Sequence, residues 1–100
     1  MFEVRGIIKI IKKIKPFQKI EVKWLDVLGS VGWLSLKSAE EEMGDIERLT
    51  HCSIGYFLKK THYSIVICQS YQQKMFADGN RNTDQRLEIP LKTIREITIL

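Results

Sequence analysis

The amino-acid sequence predicts a mainly β protein with minor α content, folded as a small, strongly bent five-stranded barrel. Several short segments alternate apolar and polar residues and are separated by turn residues, which is typical of β-strands. The 100 residues are 44% hydrophobic and 28% charged with two prolines. Such a composition indicates one globular domain with a single small core, and excludes a disordered chain. No stretch of the sequence is apolar enough to span a membrane.

The N-terminal segment is the main exception to the β pattern. At about 100° per residue its isoleucines fall on one stripe, with the lysines opposite, which predicts an amphipathic basic helix. The isoleucines are Ile7, Ile8, Ile10, Ile11 and Ile14. Pro16 ends the helix, because a proline pushes the preceding residue out of the α region. A β-strand remains the alternative, since isoleucine favours sheets and residues 2–5 alternate.

A first strand and a short helix follow. Ile20, Val22 and Trp24 share one face from Lys19 onward, which predicts the strand. A capping box that begins at Ser38, with glutamates in the first turn, predicts one short helix after the first strand.

The remaining segments predict a hairpin and a final strand pair. Residues 50–58 and 63–71 form the hairpin, and a long polar loop covers 72–86. Residues 87–89 and 97–99 are the last strands, joined by a helical turn. A three-residue hairpin loop places Cys52 opposite Cys68, whereas a four-residue loop places Ser53 there, so a disulfide stays open.

The charge divides the chain into an N-terminal arm, residues 1–16, and a barrel domain, residues 17–100. Residues 1–23 hold seven basic and two acidic residues, a net charge of +5, whereas residues 24–100 have a net charge of −1. The overall charge of +4 therefore belongs to the N-terminal part and does not by itself predict nucleic-acid binding by the barrel.

Two resemblances extend this prediction. The segment SIGYFL at 53–58, the strand SIVI at 64–67 and the ending Ile89-Pro90, Ile94, Ile97 resemble the SH3-like and Sm-like barrels. That resemblance implies an N-terminal helix over the open end of the barrel, and rings formed through edge strands. Bacterial Sm-like proteins usually carry a Lys-His pair before the last strand, and LKT stands at 91–93 here.

The motifs Trp24-Leu25-Asp26, Gly32-Trp33 and Ile54-Gly55-Tyr56, with the Ile89-Pro90 ending, also resemble small uncharacterised proteins encoded by phages and prophages. This likeness covers roughly residues 20–100 and implies no established activity.

No catalytic, metal or cofactor site is predicted, and we expect a protein that is not an enzyme. His51 and Cys52 are neighbours in a strand, so their side chains point to opposite faces and cannot share a proton. The acidic and amide residues from Asp78 to Asp84 partly resemble a calcium loop, but Thr83 stands where the loop needs a glycine. Two cysteines and no signal peptide indicate the cytoplasm, that of the host if the chain is phage-encoded.

The leading functional hypothesis is an oligomeric binding protein for an anionic, nucleotide-like ligand, with sequestration of a host defence signal as its use. Rings stack on the ligand and loop cations contact its phosphates. The candidate residues are Trp33, Lys59, Lys60, Tyr71, Lys74, Arg81, Arg86, Lys92 and Arg95. The alternatives are Sm-like binding of RNA or single-stranded nucleic acid, and protein or membrane contact through the arm, of which membrane contact is less favoured.

Overall fold

The structure, a computed structural model, describes residues 4–25 and 50–100. Within these ranges five antiparallel strands form one open sheet in the order β4-β3-β2-β1-β5. The elements are α1 Val4–Ile11, β1 Lys19–Leu25, β2 Thr50–Lys60, β3 Ser64–Tyr71, β4 Thr83–Pro90, a 3-10 turn Leu91–Thr93 and β5 Ile94–Ile99. The predicted mainly β class is confirmed. The helix predicted after the first strand lies outside the described residues.

Helix α1 is short and gives way to a tighter turn before Pro16. The backbone N–H of Lys13 donates to Ile10 O at 2.9 Å, and that of Ile14 to Ile11 O at 3.0 Å. These bonds span three residues instead of four, so the chain narrows to a 3-10 turn at the helix end. Ile14 therefore stays on the buried side after α1 has ended.

The core lies on one face of the sheet, and α1 packs over the part of it formed by β5 and the 3-10 turn. Ile20, Ile65 and Ile89 have no exposed surface, and Ile7 and Ile11 of α1 pack in the same cluster. A sheet with one apolar face needs a covering layer, and the isoleucine stripe of α1 supplies it. The lysines of α1 and of the turn after it are exposed.

The β2–β3 hairpin has a register that differs from both sequence-based alternatives. Strand β2 continues to Lys60, which pairs with Ile65, and residues 61–63 connect the strands, so the turn lies later than a strand end at residue 58 predicts. A bulge between Phe57 and Lys59 then moves the pairing by one residue, and Cys68 lies opposite Tyr56. Cys52 pairs instead with Lys23 on β1, and both cysteines are free thiols. A bulge adds one residue to one strand, which moves every later pair. The bulge moves the pairing by one residue and the later turn accounts for the rest, so the expected facing of Cys68 with Cys52 or Ser53 was wrong.

Strands β4 and β5 are longer than the sequence indicates. Strand β4 begins at Thr83, and the loop before it is closed by Gln72 N–H donating to Asn82 O at 2.9 Å. The Asn82 side-chain amide also donates to Gln72 Oε1 at 2.9 Å. These bonds extend the ladder beyond Tyr71, so the connecting loop covers only residues 72–82.

Replacing Gly55 tests how closely β2 and β3 approach each other. A Cβ at this position would lie 2.8 Å from Cys68 O and 3.1 Å from Ile67 Cδ1. We expect Gly55→Ala to lower the free energy of unfolding by about 1–3 kcal/mol, because the two strands must separate. Urea denaturation measures the change. Ile54→Thr, at the neighbouring exposed position, serves as the control, and an equal loss in both variants would contradict the packing argument.

Candidate functional site

Three side chains from separate segments meet where β3 ends. The ring centroids of Phe17 and Tyr71 are 4.8 Å apart, and Arg81 Cζ lies 4.8 Å from the first and 5.0 Å from the second. The three groups therefore form a nearly equilateral triangle in which one guanidinium caps both rings. Tyr56 of β2 adds an edge-to-face contact to Tyr71 at 4.9 Å. We call Phe17, Tyr56, Tyr71 and Arg81 the ring cluster.

Phe17 is held in a backbone conformation that few side chains adopt. Its φ is +66°, in the left-handed region. Its N–H donates to Phe57 O at 2.6 Å, and the N–H of Phe57 donates to Gln18 O at 2.9 Å. A non-glycine residue in this region costs about 1–3 kcal/mol, and such residues concentrate at functional sites. The hydrogen bonds with β2 and the contacts of the ring hold Phe17 in place.

The loop 72–82 has its own internal structure, which positions Arg81. Asp78 Oδ1 accepts the Asn80 N–H at 3.0 Å, and the Phe76 N–H donates to Asn80 O at 2.7 Å. Gly79 has a φ of +87°, which a glycine adopts without strain. The oxygen atoms that resembled calcium ligands thus shape a turn, and Phe76 stays 46% exposed.

A cleft of about 620 Å³ lies between this loop, the turn at Phe17 and the sheet. We call it the loop cleft. Its lining includes Phe17, Lys59, Phe76, Asn80, Arg81 and Arg86. Ligand sites of small molecules have volumes of about 300–1,000 Å³ and combine apolar surface with a few polar groups. The loop cleft has both properties.

The charge of the loop cleft is predominantly positive. Lys59, Arg81 and Arg86 line it, and Asp78 is the acidic residue beside them. Among residues 4–25 and 50–100 the one ion pair is Lys23 with Glu96, at 3.7 Å, away from this cleft. Arg81 Nε is buried without a hydrogen-bond partner from the described chain. The cleft therefore offers cations that form no ion pair with a carboxylate of the described residues.

The structure brings four of the predicted site residues together. Lys59, Arg81 and Arg86 line the loop cleft, and Tyr71 contacts Arg81 in the ring cluster. Lys74 is exposed in the same loop but is not among the lining residues. Arg95 lines a different cleft, beside Cys52. Trp33 lies outside the described residues.

Lys60 and Lys92 belong to another end of the sheet. Lys60 Nζ donates to Thr61 O at 3.0 Å in the β2–β3 turn. The N–H of Leu91 donates to Tyr63 O at 2.8 Å, which places the 3-10 turn that carries Lys92 against the β2–β3 turn. Tyr63 is 76% exposed there, and its ring centroid lies 4.4 Å from that of His62. We call Lys60, His62, Tyr63 and Lys92 the hairpin end.

Phe17, Phe76 and Asn80 were not predicted from the sequence. Phe76 had a usable signal, because it is an aromatic residue inside an otherwise polar loop, and loops carry many binding residues. Phe17 follows Pro16 at the junction of helix and strand, and no sequence pattern there distinguishes a ligand contact from packing.

Other kinds of site receive no support from the part of the chain that the structure describes. No three His, Cys, Asp or Glu side chains in it come together as metal ligands. No helix there has the length and apolarity needed to cross a membrane. The ring of His51 lies 5.4 Å from that of Trp24, whereas Cys52 is exposed beside Lys23.

Comparisons with protein-family models, with curated proteins and with solved structures gave no match for this chain.

The two thiols differ in exposure, and in each the pKa is raised. Desolvation, followed by the nearby Glu21 carboxylate, raises the pKa of the Cys52 thiol, and Lys23 partly offsets this. Burial raises the pKa of the Cys68 thiol, and Arg86 lowers it in part. A raised pKa leaves less thiolate at a given pH, and the thiolate is the reactive form.

We expect one thiol to react with an aromatic disulfide reagent in the folded protein and two after unfolding without reductant. At about pH 8 the exposed Cys52 reacts more slowly than free cysteine, and its rate rises with pH. The absorbance of the aromatic thiol that the reagent releases gives the number of reactive cysteines in the folded and in the unfolded protein. Cys52→Ser removes the reaction of the folded protein. Two fast thiols in the folded state, or none after unfolding, would contradict this assignment.

Proposed function

We propose that this protein is a non-enzymatic binding protein that holds an anionic, nucleotide-like ligand in the loop cleft. The observation that carries this proposal is the convergence of Lys59, Arg81 and Arg86 with the rings of Phe17 and Phe76 around one cleft of about 620 Å³. Cations beside exposed rings suit a ligand that combines a phosphate with a planar base. No catalytic group is needed for this role.

The cleft offers separate places for the two parts of such a ligand. Arg86 on β4 and Lys59 on β2 lie on either side of β3 and supply charge for a phosphate, which arginine binds through two parallel hydrogen bonds. Phe76, which is 46% exposed, supplies a surface for the base. Asn80 carries an amide that can read the edge of a base.

We propose further that the bent sheet is a barrel of the SH3-like or Sm-like type. The strand order β4-β3-β2-β1-β5 and the 3-10 turn between β4 and β5 support this, because the order brings the first and last strands together. For a chain of phage or prophage type, we propose sequestration of a host defence signal in the host cytoplasm as the biological use of such binding.

Calorimetry with adenosine, AMP, ATP and cyclic AMP tests the binding proposal. We expect heat from the phosphorylated ligands and none from adenosine, because the cations act on the phosphate. Arg86→Gln weakens binding about tenfold or more, through loss of charge-assisted hydrogen bonds. Lys74→Gln removes the same charge from an exposed position outside the cleft and leaves affinity unchanged. Absence of heat with every nucleotide, or equal loss in both variants, would overturn the proposal.

A second candidate function is the binding of single-stranded RNA or DNA at the hairpin end. Its support is the exposed Tyr63 ring in the turn that follows Lys60, and the Leu91–Tyr63 backbone hydrogen bond that places the 3-10 turn carrying Lys92 against it. A strand that spans several cations loses affinity steeply with salt, whereas a mononucleotide loses little. An oligonucleotide in the same titrations, at two salt concentrations, separates the two functions.

Contact through the arm alone has less support. Ile7, Ile11 and Ile14 are at most 7% exposed, so the apolar stripe that membrane binding needs is already packed against the sheet. The exposed lysines of the arm remain for contact with an acidic partner.

We propose that copies of this chain associate through their edge strands. Strands β4 and β5 each pair with one neighbour in the described sheet, which leaves a row of backbone groups on either edge. Both edges carry charges of both signs, Arg86 and Glu88 on β4 and Arg95 and Glu96 on β5. Association would place several copies of the loop cleft in one assembly and so increase the effective affinity for a multivalent ligand.

Light scattering after gel filtration tests the association. We expect a mass that is a multiple of 11.7 kDa. Leu87 is 36% exposed on β4, and Leu87→Lys places a charge on this edge and lowers the mass toward that of one chain. Ile54→Lys, at a 54% exposed position on the inner strand β2, keeps the assembly. A wild-type mass of one chain would rule the assembly out.

A further inference from the structure

Arg81 lines a second cleft besides the loop cleft. This polar cleft, of about 490 Å³, is lined by Tyr56, Gln69, Ser70, Tyr71, Gln73 and Arg81. Arg81 is the lining residue that it shares with the loop cleft. The ring cluster therefore stands as a ridge between two neighbouring clefts, and its one cation is accessible from both.

The side chains that line the polar cleft suit an uncharged ring that forms hydrogen bonds, such as a nucleotide base. Gln69 and Gln73 each offer an amide donor and acceptor, and Tyr56 and Tyr71 offer ring surface and hydroxyls. Arg81 is the one charged residue of its lining. The loop cleft repeats this combination with Asn80 and Phe76, and adds Lys59 and Arg86.

The contacts that hold Arg81 at the ridge are made with aromatic rings and do not occupy its hydrogen-bond donors. Its guanidinium lies 4.8 Å from the Phe17 ring and 5.0 Å from the Tyr71 ring. Nε is buried, so an oxyanion would bind the terminal N–H groups, which ring contacts leave available.

From this geometry we infer that the ligand of the proposed site is a dinucleotide. One base lies in the loop cleft, the second lies in the polar cleft, and the phosphate that links them is bound by Arg81 on the ridge. The 5′-phosphate remains with Arg86 and Lys59. This inference rests on the proposed nucleotide binding and narrows it from one nucleotide to two. Each cleft is large enough for one nucleoside, since drug-sized ligands occupy about 300–1,000 Å³.

Calorimetry with 5′-phosphorylated diadenylate, pApA, and with AMP tests the inference, because both carry the same terminal phosphate. We expect pApA to bind about tenfold or more tightly than AMP, since the second base binds as part of a linked ligand. The double variant Gln69→Ala/Gln73→Ala brings the ratio of the two affinities toward one. Met75→Ala, at a 51% exposed position of the same loop outside both clefts, keeps the wild-type ratio.

The outcomes separate this inference from the function on which it rests. Equal affinities for AMP and pApA, or an unchanged ratio in the double variant, would overturn the two-cleft site and leave nucleotide binding standing. Absence of heat from both ligands would overturn both. Circular dichroism and an unchanged unfolding midpoint show that the double variant is folded, which is expected because Gln69 and Gln73 are exposed.

Discussion

The rest of this structure depends on covering the apolar face of one open sheet. Ile20, Ile65 and Ile89 have no exposed surface, and Ile7 and Ile11 of α1 belong to the same buried cluster, where the helix packs against β5 and the 3-10 turn. Because the isoleucines occupy the buried face of the helix, the lysines between them lie on the opposite face, which is exposed to solvent. The basic charge of the N-terminal segment is therefore compatible with a structural role for the same segment, and the two properties follow from one helical period.

The same packing determines where the candidate site lies. The chain leaves the α1 region at Pro16 and enters β1 at Lys19, so Phe17 must turn between them, and hydrogen bonds with Phe57 hold it in the left-handed region. Its ring then meets Tyr71 at the end of β3 and Arg81 at the end of the loop. Three contacts of about 5 Å thus connect the turn after the arm, the sheet and the loop. A ligand bound at Arg81 would contact the place where these three parts of the chain meet.

Local patterns account for most of the described elements. The alternation of Ile20, Val22 and Trp24 indicated β1, and the polar residues before Ser64 indicated the hairpin. The boundaries were less predictable, because β4 gains length from pairing with β3 and because β2 continues to Lys60 before the turn. A bulge at Leu58 moves the hairpin pairing by one further residue, and no residue type in the strand marks it. For these two reasons the facing of Cys68 could not be derived from loop length alone.

The sequence by itself determined the mainly β class, the isoleucine stripe with its lysines opposite, and the polar character of the loop before β4, because each depends on residues close together in the chain. Only the tertiary structure decided that Lys59, Arg81 and Arg86 share one cleft with Phe17 and Phe76, while Lys92 and Arg95 lie elsewhere. Phe17 and Arg81 are far apart in sequence, and their contact depends on the strand order and on the path of the loop. A binding site formed by such long-range contacts is set by the register of the strands, which local residue patterns do not specify.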